Sequence, residues 1–277
     1  MAIEVSIICN TYNHEKYIGD ALQGFVCQNT TFDYEVLVHD DCSTDRTAEI
    51  IREYEEKYPE LIKPIYQKEN QYSKKVAITR DIQLPRAKGR YIAICEGDDY
   101  WVDSNKLQMQ YDALEKRKDC DMCAHAAEEV DGISGEHIKW IKPAADECIL
   151  PLEAVIKGGG AYLATASLFY RKEIDTNPRE FRRIYSLDYT LQVAGAIRGG
   201  IYYISKPMSI YRSMTPTSWT RQMRKNSKLK IAHKRKVRSV LKLLNRETEY
   251  KYDLYLKWQI VKNVIITALL QAKSIFE

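Results

Sequence analysis

Two stretches carry an acid pair directly after a short apolar run: Tyr34-Glu35-Val36-Leu37-Val38-His39-Asp40-Asp41 and Tyr91-Ile92-Ala93-Ile94-Cys95-Glu96-Gly97-Asp98-Asp99. Apolar runs of this length, bounded by polar residues, read as buried strands. A single Asp-Asp pair is a common turn or helix-cap dipeptide. Two pairs at equivalent strand ends are not what folding alone selects, because adjacent carboxylates repel and lose hydration. In open α/β sheets the carboxyl ends of the strands are also where ligands bind. Gly97, just before the second pair, permits close approach of a backbone or a ligand. The pattern points to a divalent cation and a phosphorylated ligand, since Mg²⁺ and Mn²⁺ prefer hard oxygen donors and are commonly shared with substrate phosphates.

Working outward, strands and helices alternate. Residues 4–9 read as a strand ended by the polar turn 10–13. Tyr17, Ile18, Ala21, Leu22, Phe25 and Val26 follow helical spacing. Ser43 or Thr44 can cap a helix bearing Ile50, Ile51, Tyr54 and Tyr58. A third strand is expected over 61–66, a partial helix over 76–87, a helix over 106–118 and a strand over 121–127. This alternation predicts a parallel, doubly wound α/β sheet with flanking helices. Further on, 187–198 reads as a helix ended by Gly199-Gly200, followed by two strands, 201–204 and 208–211. From about 219 the chain is helical. Two regions are expected: an α/β domain over 1–218, which carries both acid pairs, and a basic helical region over 219–277.

The 277 residues are 45% hydrophobic and 29% charged, which supports one large α/β core and excludes global disorder. No apolar stretch reaches the roughly 18 residues of a spanning helix. Residues 5–9 read as a strand, not a signal peptide, so a cytoplasmic protein is expected. Seven cysteines, several inside strand-like runs, indicate reduced thiols. Cys120 and Cys123, with His125 nearby, lack a second pair at zinc-finger spacing and read as buried thiols.

In order, these segments resemble glycosyltransferase family 2, inverting enzymes with the GT-A fold, of the type that builds bacterial surface polysaccharides. The resemblance lies in Val5-Ser6-Ile7-Ile8-Cys9-Asn10-Thr11-Tyr12-Asn13, in His39-Asp40-Asp41-Cys42-Ser43-Thr44-Asp45, in Arg80-Asp81 followed by Ala87-Lys88-Gly89, in Gly97-Asp98-Asp99, in Leu187-Asp188-Tyr189, and in Tyr211-Arg212 with Ser218-Trp219. It implies a hexosyltransferase-type enzyme that moves a sugar from a nucleotide-sugar, UDP-linked by resemblance, to a saccharide or lipid-linked saccharide. By the same resemblance, Thr11, Tyr12 and Asn13 face the nucleotide, with Tyr12 as a stacking face. Asp41 accepts from a uracil N–H, and Arg80 meets phosphate. Asp99 and Asp98 hold Mn²⁺ or Mg²⁺ against the diphosphate, and Asp188 is the base that deprotonates the acceptor. Three positions depart from the family pattern: Asp81 stands for Asn, Leu187 for Glu, and Met214 for a His. Methionine is a poor ligand for hard cations. A sugar-phosphate nucleotidyltransferase would need a glycine-rich loop after the first strand, and residues 10–13 contain no glycine.

The net charge of +4 is unevenly placed. Residues 221–246 hold eleven basic and no acidic residues, leaving the remainder net acidic. A basic amphipathic helix can lie on an anionic membrane surface. Its apolar positions equally suit packing on the catalytic domain or on a second subunit. Peripheral contact with the inner face of the cell membrane and homodimerisation are therefore both open. Nucleic-acid binding is the rival from another class. It is disfavoured because few aromatics accompany the charge and no recognised module is present.

Overall fold

The computed structural model describes residues 2–185, 188–216, 218, 221, 223 and 226–273. Leu187 and Trp219, singled out above, lie outside them. The first half alternates as the sequence predicts: β1 (Ile3–Thr11), α1 (Ile18–Val26), β2 (Asp33–Asp40), α2 (Thr47–Lys57), β3 (Ile62–Tyr66), a π-turn at Thr79–Gln83, and β4 (Tyr91–Ile94). Then follow β5 (Tyr100–Trp101), α3 (Lys106–Lys116), β6 (Met122–Asp131), β7 (His137–Ile141), β8 (Cys148–Leu150), α4 (Leu152–Gly158), β9 (Phe169–Arg171), α5 (Glu173–Thr176), α6 (Glu180–Ile184), α7 (Asp188–Ala196) and β10 (Ile201–Ser213). Two long helices close the described chain, α8 (Ser227–Glu247) and α9 (Asp253–Lys273).

The strands form one ten-stranded sheet in the order β3-β2-β1-β4-β9-β6-β10-β5, with β7 on β6 and β8 on β10. β3, β2, β1 and β4 are parallel, as is the long β6–β10 pair. The short strands β5, β7, β8 and β9 pair antiparallel. The two late strands expected at 201–204 and 208–211 are one strand. Its register shifts around Pro207, where a prolyl nitrogen cannot donate to the ladder.

Both sheet faces are covered, so the central strands are apolar on both sides. Val5, Ile7 and Cys9 of β1, Val36 and Val38 of β2, and Tyr91, Ala93 and Cys95 face α1, α2 and α3. Ile8, Leu37, Ile92 and Ile94 face the opposite layer with Leu152, Phe181 and Leu191. Val240, Leu241 and Leu244 of α8 join that second layer. Helix α8 is tied down further by an Arg246–Glu180 ion pair and by the Phe181 N–H donating to Glu247 Oε1 at 3.0 Å. The basic helix is thus packed on the sheet domain through its apolar side.

All seven cysteines are free thiols. Cys120 and Cys123 are buried in the core, and His125 beside them is buried with Nδ1 2.7 Å from the Ala126 carbonyl.

Candidate active site

Parallel pairing of β1 with β2 and β4 brings three strand ends to one edge, which is why residues 10–14, 40–45 and 95–99 meet. Two of these turns are clasped together. The Asn13 N–H donates to Ser43 Oγ at 2.9 Å, and the Thr44 N–H donates to Asn13 Oδ1 at 2.8 Å. The His14 N–H donates to Thr47 Oγ1 at 2.8 Å, and the Glu15 N–H to Asp45 Oδ2 at 3.1 Å. Asn13 takes φ 55, a conformation that Asn tolerates better than most residues. Its side chain therefore serves the turn. Tyr12 is 37% exposed, leaving a ring face available, and Thr11 Oγ1 is buried without a hydrogen-bond partner among the described residues.

Asp41 is buried, and its carboxylate accepts the backbone N–H groups of Gln71 and Tyr72 at 2.7 and 3.0 Å. It anchors the 70–76 loop at the end of β2. Asp40 accepts from the Ser43 N–H at 3.3 Å, and burial raises its pKa. Arg80 grips Asp81 through Nε and Nη2 at 2.6 and 3.0 Å, and its Nη1 donates to the Arg183 carbonyl at 3.0 Å. The aspartate that departs from the family pattern is thus the partner that holds this guanidinium. A phosphate contact by Arg80 would use the N–H groups that Asp81 and the Arg183 carbonyl leave free on Nη1 and Nη2.

After β4, the two members of the second acid pair separate in role. Asp99 is 3% exposed, and its Oδ1 accepts the Arg212 backbone N–H at 2.8 Å, tying the pair to β10. Burial, then the charge of Asp98, pushes its carboxyl well above the usual range. Asp98 is half-buried. Its Oδ2 accepts from Thr215 Oγ1 at 3.1 Å and lies 3.9 Å from His14 Nε2. Thr215 follows Met214, the departure from a family His, and supplies a hydroxyl to the acid pair from that same loop. Arg212 Nη1 donates to the Asp98 carbonyl at 3.3 Å, and its guanidinium lies over Tyr100 and pairs with Asp20. Gly97 does permit close approach, and the groups it admits are Thr11 and His14. A Cβ there would sit 2.6 Å from Thr11 Oγ1.

Glu96 completes the acid cluster and was not singled out from the sequence. Burial first, then the charges of Asp188 and Asp98, raise its pKa to about 8, while Asn10 hydrogen-bonds its ionised form. The Asp188 charge is felt at Glu96, so the fold brings the start of α7 to the end of β4. Asp188 keeps a solvent-exposed side, yet its carboxyl is crowded by protein. That crowding raises its pKa, opposed by hydrogen bonding to Thr165 and by the charges of Arg182 and His233. His233 belongs to α8, so the basic helix reaches the site. Arg182 is held behind the site by Asp175, with Nε to Oδ1 at 3.0 Å and both side chains under 10% exposed.

Among the described residues, no three His, Cys, Asp or Glu side chains form a ready-made metal cage. The acid cluster nevertheless suits a hard cation. Glu96, Asp98 and Asp99 offer only oxygen donors, and two of the three carboxyls are driven toward their protonated forms. A cation that completes its coordination with substrate phosphate needs only one or two such protein ligands.

The model of the glycosyl transferase family 2 domain matches residues 6–175, more than half of the chain. The chain belongs to glycosyltransferase family 2. Its fold is the GT-A fold. An uncharacterized protein of Mycobacterium tuberculosis is 34% identical over 221 residues, covering 78% of this chain and 60% of that protein. The Escherichia coli UDP-Glc:alpha-D-GlcNAc-diphosphoundecaprenol beta-1,3-glucosyltransferase WfgD is 36% identical over 112 residues, 40% of this chain and 41% of its own. The chain therefore spans less than two thirds of the length of these relatives. Among solved structures, S. aureus TarS in complex with UDP-GlcNAc aligns with a TM-score of 0.61 at 19% identity, covering 97% of this chain and 81% of that one. A mannosyltransferase from Pyrobaculum calidifontis with GDP-Man and Mn²⁺ aligns at 0.53 and 15% identity, over 99% and 80%. At these identities the structural likeness speaks for the fold.

Proposed function

We propose that this family 2 glycosyltransferase transfers a sugar from a UDP-sugar, with inversion and with a divalent cation, to a saccharide or lipid-linked saccharide. The observation that carries the reading is the acid cluster at the end of β4, where Asp98 lies 3.9 Å from His14 of the turn 10–14, Asp99 is tied to β10, and Glu96 responds to the charge of Asp188. UDP and a lipid-linked acceptor are supported by the WfgD name, and UDP also by the TarS complex. Residues 1–218 form the catalytic unit in this reading, with Thr11, Tyr12, Asn13, Asp41 and Arg80 bordering the nucleotide.

Asp98 and Asp99 would hold Mn²⁺ or Mg²⁺, with Asp98 the more accessible and Asp99 fixed behind it by Arg212. When bound, the cation neutralises charge that grows on the diphosphate as the glycosidic bond breaks. Asp188, ionised, takes the proton of the acceptor hydroxyl. The hydroxyl oxygen bonds to the anomeric carbon from the face opposite the diphosphate, which leaves with the electron pair of the broken C–O bond. One such displacement inverts the configuration. A carboxyl raised above its ordinary pKa is a stronger base once ionised, which suits this step.

Calorimetric titration of UDP, GDP and dTDP, each with Mn²⁺ and Mg²⁺, tests the donor half. Tightest binding of UDP, dependent on the cation, is expected. Equal binding with the cation chelated would remove the metal from the proposal.

A further inference from the structure

Helix α9 is inside out. The side chains it turns toward the protein are Leu256, Gln259, Asn263 and Thr267, none more than 8% exposed. The side chains it turns to solvent are Leu254 at 86%, Trp258, Val261 and Ile265 at 56% each, and Leu269 at 66% exposure. Steps of four and three residues place these five on one stripe of the helix. A helix at a water-facing surface ordinarily does the reverse, with apolar residues inward and polar ones out. The contrast with its neighbour is sharp. Helix α8 spends Val240, Leu241 and Leu244 on the core and leaves charge outside.

Charge selects the occupant of this stripe. Residues 226–273 hold twelve basic and three acidic residues. Lys257 and Lys262 border the stripe, and the Lys262 ammonium lies 5.5 Å from the centre of the Trp258 ring. Two copies of so basic a hairpin would repel one another, whereas an anionic surface would attract each. No described helix is long and apolar enough to cross a membrane, so a helix of this kind would lie in the interface plane. Tryptophan beside lysine suits that depth, the ring at the headgroup level and the ammonium reaching to phosphate.

We propose that the outward stripe of α9 docks on an anionic lipid bilayer, with Leu254, Trp258, Val261, Ile265 and Leu269 entering the acyl boundary and the basic residues of α8 and α9 meeting lipid phosphates. Helix α9 thereby supplies the apolar contact that α8, with its apolar side in the core, cannot. Tyr255 Oη of α9 donates to the Glu153 carbonyl of α4 at 2.8 Å, so the docked helix is fixed to the sheet domain. Lipid docking at α9 does not depend on the sugar chemistry proposed above.

The test is co-sedimentation of the whole 277-residue protein with vesicles of phosphatidylglycerol and phosphatidylcholine, and of phosphatidylcholine alone. The variants are Trp258→Glu with Ile265→Glu, and Arg235→Glu with Lys236→Glu, all at solvent-exposed positions. Circular dichroism and size-exclusion profiles confirm folding. Binding to the anionic vesicles is expected, with a loss of at least about tenfold in either double variant, and with part of the binding surviving roughly 0.5 M salt because insertion is not screened. Three results would overturn the proposal. One is the absence of binding to anionic vesicles. The second is binding that the Trp258/Ile265 variant leaves intact and salt abolishes, which is adsorption by charge alone. The third is a dimer that ignores vesicles and dissociates in the Trp258/Ile265 variant.

Discussion

Asp99 Oδ1 accepts a 2.8 Å hydrogen bond from the backbone N–H of Arg212, joining the end of β4 to β10 across 113 positions of sequence. This contact gives the two adjacent aspartates different work. Asp99 is locked in the interior, while Asp98 faces His14 and Thr215. Replacing Asp98 with Ala is expected to remove most cation-dependent UDP affinity and to cost less stability than losing Asp99, because the Thr215 hydroxyl it leaves can rotate to another acceptor whereas a backbone N–H cannot. Asp99→Ala should weaken that affinity too, and should also lower stability by about 1–3 kcal/mol by leaving the Arg212 N–H unpaired. Paired calorimetry and denaturant melts separate the two. Equal stability of both variants would refute the division.

Asp188→Asn should bind UDP as the parent does and turn over about 10²- to 10⁴-fold more slowly. In the parent, the raised pKa of Asp188 moves the acid limb of the rate profile above the ordinary carboxylate range. Initial rates across pH with a matched acceptor measure both effects, and a parental rate in the variant would exclude the base assignment.

Glu96 makes the cation-free protein sensitive to pH. Its folded value of about 8 lies above the ordinary 4.5. Between those limits the native state keeps a proton that the unfolded state has released, so stability falls as pH rises through this window. Mn²⁺ should oppose the fall by favouring the ionised cluster. Thermal melts from about pH 5 to pH 9, without and with Mn²⁺, should show a flatter profile for Glu96→Gln than for the parent. Superimposable profiles would count against it.

Gly97→Ala should be costly although only one methyl is added. The new Cβ would meet Thr11 Oγ1 at 2.6 Å and Thr11 Cβ at 2.7 Å. Overpacking of this kind costs about 1–3 kcal/mol and would displace the turn proposed to border the nucleotide. A lowered melting temperature with weaker UDP binding is expected, and unchanged values would show that the turn yields freely.

Much of this architecture was readable in the chain because β1, β2 and β4 are buried on both faces. Continuous apolar runs ending in acids follow directly. The strands β5, β7 and β8 were not readable, since β5 and β8 have only two and three residues and β7 is exposed along most of its length. Strand β10 was read as two because Lys206-Pro207 interrupts its apolar pattern, whereas the strand absorbs the interruption as a bulge. That both acid pairs stand at strand ends and Asp188 at a helix start was legible in the chain. Glu96 was not, because its importance arises from Asp188, which only the fold brings near. The filling of Asp41 by the 70–76 loop is likewise a tertiary fact. The apolar content of α9 was visible in sequence, but not that the helix wears it outward.

The clasp between the turn of Asn13 to Glu15 and the turn of Ser43 to Thr47 has a thermodynamic consequence. Its backbone donors are satisfied by side chains of the opposite turn, so neither can rearrange without unpairing the other. The conformational entropy of both turns is lost when the chain folds, before any donor arrives. In the proposed function, a nucleotide landing there would meet a pre-organised wall and surrender little of its binding energy to ordering it. Loosening the clasp, for instance at Ser43 or Asn13, would therefore show in donor affinity even though neither side chain need touch the donor.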